Sequence, residues 1–162
     1  MIAIRFATAD DAPTILQFIR ALADYEREPQ AVKVTEATLR SQLSAPAPPF
    51  ECLLAEHAGV PAGFALFFPT YSTWLGRPGI WLEDLFVLPE QRRHGVGTAL
   101  LGRVGELARE RGCGRLEWSV LDWNQLAIGF YAGLGARIME QWRICRVEGD
   151  ALRTFAVSTP KE

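Results

Sequence analysis

From Leu82 to Leu101 the chain reads Leu-Glu-Asp-Leu-Phe-Val-Leu, then Pro89-Glu90-Gln91-Arg92-Arg93-His94, then Gly95-Val96-Gly97-Thr98-Ala99-Leu100-Leu101. An apolar run of this kind closed by proline reads as a strand. Beyond it Val96, Leu100, Val104, Leu107 and Ala108 recur on one face of a helix that Gly112 ends. A strand entering a helix through a basic, glycine-bearing turn confines the chain to an α/β arrangement. The helix starts near Gly95, and its first amides lack an intrahelical partner; with the positive end of the helix dipole they favour an anion, a pyrophosphate among others. Arg92 and Arg93 add charge, and Gly95 and Gly97 let the main chain approach a phosphate closely. The spacing is neither Gly-x-Gly-x-x-Gly nor a Gly-Lys-Ser/Thr loop; it is Arg-x-x-Gly-x-Gly.

The remaining elements follow from periodicity and punctuation. Ile2 to Phe6 alternates as a strand, Asp10 or Asp11 caps a helix with Pro13 in its first turn, and Ile15, Leu16, Phe18, Ile19, Leu22 and Ala23 give that helix one apolar face to about Tyr25. Glu26 to Lys33 reads as a loop, and Thr35 opens a second helix that Pro46, Pro48 and Pro49 end. A hairpin follows from Phe50–Glu56, a turn at Ala58-Gly59 and Ala62–Phe68, then a strand over Gly79–Leu88. Past the main helix, Arg115–Leu121 is expected as a strand, Asn124 as the cap of a helix to Leu134 with Gly135 as its stop, and Arg143–Val147 as a late strand. At 162 residues with 49% hydrophobic residues the chain suits a single domain over residues 1–162, with helices flanking a mixed sheet.

Charge and cysteine usage exclude several function classes. The net charge is −2, and no basic run extends beyond Arg92-Arg93, so no nucleic-acid partner is expected. No apolar stretch approaches the roughly 18 residues of a membrane span, and the first residues do not read as a signal peptide. A cytoplasmic protein with no membrane partner is the expectation. Cys52, Cys113 and Cys145 lack Cys-x-x-Cys spacing, and with only His57 and His94 available no metal site is expected.

The Arg92-x-x-Gly95-x-Gly97 turn, following a strand and opening a helix, resembles the acetyl-CoA signature of the GNAT family of N-acetyltransferases. Further segments resemble its diamine (spermidine/spermine) and thialysine branch. These are Ala21-Leu22-Ala23-Asp24-Tyr25-Glu26 at the end of the first helix, Thr70-Tyr71-Ser72-Thr73-Trp74-Leu75-Gly76, the strand from Trp81 to Val87, Asp122-Trp123-Asn124-Gln125, Gly129-Phe130-Tyr131, Gly135-Ala136 and Trp142-Arg143. The resemblance runs from about Phe6 to Trp142. It implies a mixed, mostly antiparallel central sheet with acetyl-CoA, as co-substrate, at the splay of two central strands. It also implies a homodimer and direct acetyl transfer to a small primary amine.

Transfer to an amine needs a held CoA, a neutral amine, a polarised carbonyl and a proton for the leaving thiolate. By resemblance the amides of Arg93 to Thr98, including His94 and Val96, hold the pyrophosphate. The main chain of Leu85, Phe86 and Val87 pairs with the pantetheine arm, whose lower part Asn124, Gln125, Leu126 and Ala127 hold. A primary amine near pKa 10.4 is free base in less than about one part in a thousand at neutral pH. Glu83, which with Asp84 interrupts an apolar strand, is the candidate to take its proton, while one member of that pair has the alternative of pointing to solvent. Tyr131 lies seven residues after Asn124, on the same side of a helix, and by resemblance is the general acid. Tyr25, Glu26, Glu117, Trp118, Ser119 and Glu140 match the stretches facing the acceptor; spaced carboxylates suit a dication. The connection from Ala136 to Trp142 is short for a spermidine/spermine enzyme, which leaves a thialysine-like amino acid open, with Arg27 or Arg143 to meet its carboxylate. Two other readings stay open: a CoA-binding sensor without turnover, and an acetyltransferase of protein N-termini or lysines. The segment Pro69 to Pro78, with Tyr71 and Trp74, is expected to wall a small acceptor cleft.

Overall fold

The computed structural model describes Met1–Phe155. The chain divides into two compact units, Met1–Ser119 and the residues from Val120 onward. The first contains β1 (Ile2–Phe6), α1 (Ala12–Tyr25), α2 (Glu36–Leu43), β2 (Glu51–His57), β3 (Val60–Ser72), β4 (Arg77–Val87), α3 (Val96–Glu110) and β5 (Arg115–Glu117); the second contains α4 (Gln125–Gly133) and α5 (Gly149–Arg153).

The sheet of the first unit has the order β1-β2-β3-β4-β5, antiparallel throughout except for the β4–β5 pair, which is parallel. This is the mixed, mostly antiparallel architecture with flanking helices that the sequence suggested. Parallel strands need a crossover, and α3 supplies it.

Local chemistry accounts for the helix ends. The expected aspartate cap of α1 is not made: Asp11 stands at the N-cap position, but its side chain turns back to accept from the Thr8 N–H at 2.8 Å and to grip Arg5 through two bonds of 2.8 and 2.7 Å, so α1 starts from a clamped turn with Pro13 just inside it. The Arg5 guanidinium holds the Asp11 carboxyl well below the usual range. Thr35 Oγ1 accepts from the Thr38 N–H at 3.2 Å and caps α2.

Each face of the sheet carries its own core. Ala12, Ile15, Leu16 and Phe18 of α1, with Leu39 of α2, pack on Cys52, Leu54, Phe64, Leu66 and Phe86; the Phe18 and Phe64 rings stack at 5.6 Å. The alternate residues Leu53, Ala65, Phe67, Ile80 and Leu82 are buried on the other face, which α3 covers with Val96, Leu100, Val104 and Leu107.

Three further sequence expectations change. The hairpin strands are longer, since β3 reaches Ser72 and β4 begins at Arg77, leaving only a short turn of the expected wall segment. β5 stops at Glu117 rather than Leu121, because its ladder with β4 covers only Gly79–Trp81 against Arg115–Glu117. Arg143–Val147 alternates as a strand would, yet it is exposed and irregular; alternation supplies a face but no partner ladder, and none of the described strands pairs with it. The short helix α5 was not anticipated.

Candidate active site

The chemistry of the first unit gathers on β4. Its register against β3 pairs Leu82 with Phe67 and Asp84 with Leu66, so Glu83 is an extra residue without a partner, a β-bulge. Residues directly opposed across an antiparallel pair share a face. Leu66 belongs to the core beneath α1, so Asp84 faces α1, as does Phe86 two residues on. Unbroken alternation would have put Asp84 on the face of Leu82, under α3. The bulge re-phases the strand and turns a carboxylate toward the end of α1.

Burial raises the Asp84 carboxyl to about 7, and the neighbouring charges of Glu83 and Glu26 push it the same way. Burial also raises Glu26, the residue that closes α1. Glu83 is more exposed, and its Oε2 accepts from the Trp81 indole Nε1 at 2.8 Å. Three carboxylates from two elements thus lie near one another, as spacing alone could not show. Tyr25 joins them through its ring, 6.5 Å from that of Phe86.

Beside this cluster β4 has an open hydrogen-bonding edge. Its β5 partner ends opposite Trp81, so the main chain from Leu82 through Leu85, Phe86 and Val87 has no strand on that side among the described residues. The following turn has Arg93 at φ 64° and Gly95 at φ 84°. Gly95 is the N-cap of α3 and, having no side chain, leaves the amides of Val96, Gly97 and Thr98 uncapped; the first intrahelical bond runs from Ala99 to Gly95 at 2.9 Å. A Cβ at Gly95 would meet only Ile2 Cδ1, at 3.8 Å, so the cradle is open. An uncapped helix terminus next to a free strand edge suits a molecule with a pyrophosphate at one end and amides along its length.

The two arginines part company. Arg93 is exposed in the turn. Arg92 folds back: its Nε donates to the Val87 carbonyl at 3.1 Å, and its guanidinium lies 4.8 Å from the Tyr25 ring centre and 5.7 Å from that of Phe86. The His94 ring lies 4.7 Å from that of His57, tilted by 30°, and His57 Nδ1 lies 2.9 Å from Gln91 Oε1. Glu117 is ion-paired with Arg115 at 2.7 Å, with Trp118 and Ser119 following it past the end of β5.

In the second unit Asn124 Oδ1 accepts from the Ala127 N–H at 3.2 Å, which starts α4 where its cap was expected, with Gln125 and Leu126 in the exposed first turn. Tyr131 lies on the same helix, half-buried, its ring 5.4 Å from that of Phe130. Glu140 is exposed and outside regular structure.

The residue whose burial sequence reasoning could not place is Asp84. Two adjacent carboxylates in an apolar strand were a visible signal, but which one is buried depends on the bulge. Among the described residues no group of three His, Cys, Asp or Glu is arranged to hold a metal ion.

The acetyltransferase (GNAT) family model matches residues 15–136. The thialysine N-epsilon-acetyltransferase of Bos taurus is 40% identical over 94% of this chain and 96% of its own length. The L-ornithine N5-acetyltransferase of Arabidopsis thaliana is 34% identical over 94% of this chain and 86% of its own. Among solved structures, an integron cassette protein from V. cholerae superposes with a TM-score of 0.78 at 22% identity, over 94% of this chain and 95% of the other.

Proposed function

The chain belongs to the acetyltransferase (GNAT) family, and we propose that it transfers the acetyl group of acetyl-CoA directly to the terminal amine of a small acceptor, a thialysine-like amino acid or a diamine or polyamine. It is an acyltransferase with a small amine as acceptor, and its relatives acting on thialysine and ornithine support an amino-acid side chain as that amine. The observation that carries the reading is one strand that offers an open main-chain edge and, from its bulge, the carboxylates of Glu83 and Asp84.

In this reading the amides of His94 to Thr98 and the charge of Arg93 take the pyrophosphate, and the edge of Leu85, Phe86 and Val87 takes the pantetheine amides. Asn124, Gln125, Leu126 and Ala127 hold its lower part. A backbone N–H near Leu85, next to the bulge, polarises the thioester carbonyl. The carboxylates of β4 and Glu26 attract the acceptor ammonium and receive its proton, Tyr25 packs against its chain, and Tyr131 supplies a proton to the departing sulfur. Glu117, Trp118, Ser119 and Glu140 are assigned to the acceptor by resemblance; Glu117 must exchange Arg115 for the substrate to do so. The single family match runs through the boundary between the two units, which supports treating them as one N-acetyltransferase domain. We further assign a homodimer, for which the turn bearing Tyr71, Trp74 and Leu75 is a candidate face, Trp74 being 91% exposed. None of the helices among the described residues is long and apolar enough to cross a membrane; a cytoplasmic location is part of the proposal.

Purified protein with acetyl-CoA is expected to release CoA thiol with thialysine, lysine or ornithine, or with putrescine or spermidine, and to yield a product heavier by one acetyl group. Turnover confined to peptide N-termini or peptide lysines would overturn the small-amine assignment.

The arginines should separate in the same assay. Arg93→Ala is expected to weaken acetyl-CoA binding roughly tenfold by calorimetry, since a charge-assisted contact to phosphate is lost. Arg92→Ala removes the guanidinium from the Tyr25 ring and from the Val87 carbonyl, so the amine KM should rise more than the acetyl-CoA Kd. Equal effects of the two substitutions on acetyl-CoA Kd would return Arg92 to the pyrophosphate.

A further inference from the structure

We propose that Asp84, rather than Glu83, is the catalytic residue that takes the proton of the acceptor ammonium, while Glu83 and Glu26 hold that ammonium beside it. The inference rests on the acetyltransferase reading above and divides its labour between two adjacent carboxylates.

Geometry carries the division. The bulge at Glu83 turns Asp84 onto the α1 face, opposite Leu66 and one alternation before Phe86, whose ring meets Tyr25. Asp84 is the more buried of the two carboxylates. Glu83 is the more exposed, and its Oε2 already accepts the Trp81 indole N–H, which fixes its orientation. The charged neighbours that act on Asp84 are themselves acidic, Glu83 on its own strand and Glu26 at the end of α1. Among the other elements packed there, β2 presents the Cys52 thiol, which feels the Asp84 charge and is itself raised by burial. Arg92 is spent on the Tyr25 and Phe86 rings and the Val87 carbonyl. A buried carboxylate with acidic neighbours and no ion pair among the described residues binds a proton readily, and a cation arriving from outside relieves it. Its raised affinity, near neutral, is what a base working at neutral pH requires.

The step balances as follows. The N–H bond of the ammonium breaks, its proton passes to an Asp84 oxygen, and the electron pair stays on nitrogen. That pair forms the bond to the thioester carbon as the carbon–sulfur bond breaks and its electrons leave with sulfur. Sulfur gains one proton, nitrogen sheds one in becoming the amide, and Asp84 returns its own to water, so each turnover releases one proton.

Two measurements on Asp84→Asn, Glu83→Gln and Glu26→Gln test this. The first is kcat/KM against pH for the amine that the wild type acetylates. A base acts only when ionised, so the wild-type rate should rise with pH through a limb near neutrality. Asp84→Asn should lose roughly 10²-fold or more in kcat together with that limb. Glu83→Gln and Glu26→Gln should keep the limb but move it to lower pH, because each removes a negative charge that raises Asp84, and should act mainly on KM. A limb abolished by Glu83→Gln and kept in Asp84→Asn would overturn the assignment.

The second measurement needs no activity. An acid whose folded pKa lies above its unfolded value costs stability as pH rises through that interval, from about 4 toward 7 here. Asp84→Asn should therefore melt higher than wild type at pH 8 and about equally at pH 4. A lower melting temperature at pH 8, or a variant that does not fold, would make Asp84 a structural residue and sink the proposal. Failure of the acetyltransferase reading looks different: the wild type would bind acetyl-CoA and acetylate no amine.

Discussion

Replacing Tyr131 by phenylalanine is expected to lower kcat by about 10²- to 10⁴-fold, the range over which one positioned acid or base contributes. The substitution removes a single oxygen. The ring stays on α4, beside Phe130 at 5.4 Å, and the helix keeps its Asn124 cap, so folding and acetyl-CoA Kd should change little. The loss should fall on kcat and kcat/KM equally, as for an interaction made only in the transition state. A variant within about threefold of wild-type kcat would remove Tyr131 from the chemistry. A large rise in acetyl-CoA Kd would instead make it a binding residue.

The second large effect is expected at a residue with no part in the chemistry. A Cβ built on Gly63 of β3 would lie 2.4 Å from the Phe86 carbonyl oxygen and 3.1 Å from the Val87 Cα. Both obstacles are main chain, so no rotamer change relieves them, and Gly63 lies directly opposite Val87 in the ladder. Gly63→Ala must push β4 away from β3 beside the stretch whose other edge is proposed to take the cofactor. Overpacking of this kind costs about 1–3 kcal/mol or more, which for a chain of this size corresponds to a melting temperature lower by roughly 2–12 °C. Acetyl-CoA Kd should rise as well, since the main chain of Phe86 and Val87 is displaced. An unchanged melting temperature would show that the strands part without cost and that the close approach is not maintained in solution.

Much of the scaffold was legible because its causes are local. Thr35 and Asn124 cap helices since each side-chain oxygen lies within reach of a free amide three residues on, whereas Asp11 at the start of α1 bonds Thr8 and Arg5 instead. The start of α3 was readable because an N-cap glycine at φ 84° and an apolar face recurring every three or four residues are written in neighbouring positions. The strand-turn-helix around Arg92 to Gly97 and the match to the family have the same origin. The failures share a cause too. Arg143–Val147 has the alternation of a strand, but a strand exists only with a partner, and partners are remote in sequence.

The candidate site divides along the same line. That a glutamate and an aspartate interrupt an apolar strand, that a basic turn leads into a helix and that Tyr131 follows Asn124 at helical spacing are properties of the chain itself. That Glu83 bulges, so that Asp84 turns toward Glu26 instead of lying under α3, depends on how β4 registers against β3. That Arg92 covers Tyr25 and that β5 ends opposite Trp81 depend likewise on elements distant in sequence. The sequence by itself determined the starts of α2, α3 and α4, the basic glycine-bearing turn and the supply of acidic and aromatic groups, because capping, periodicity and backbone freedom act over a few residues. Only the tertiary structure decided which carboxylate is buried and which strand edge stays open, because register and burial arise from pairing between segments the chain brings together when it folds.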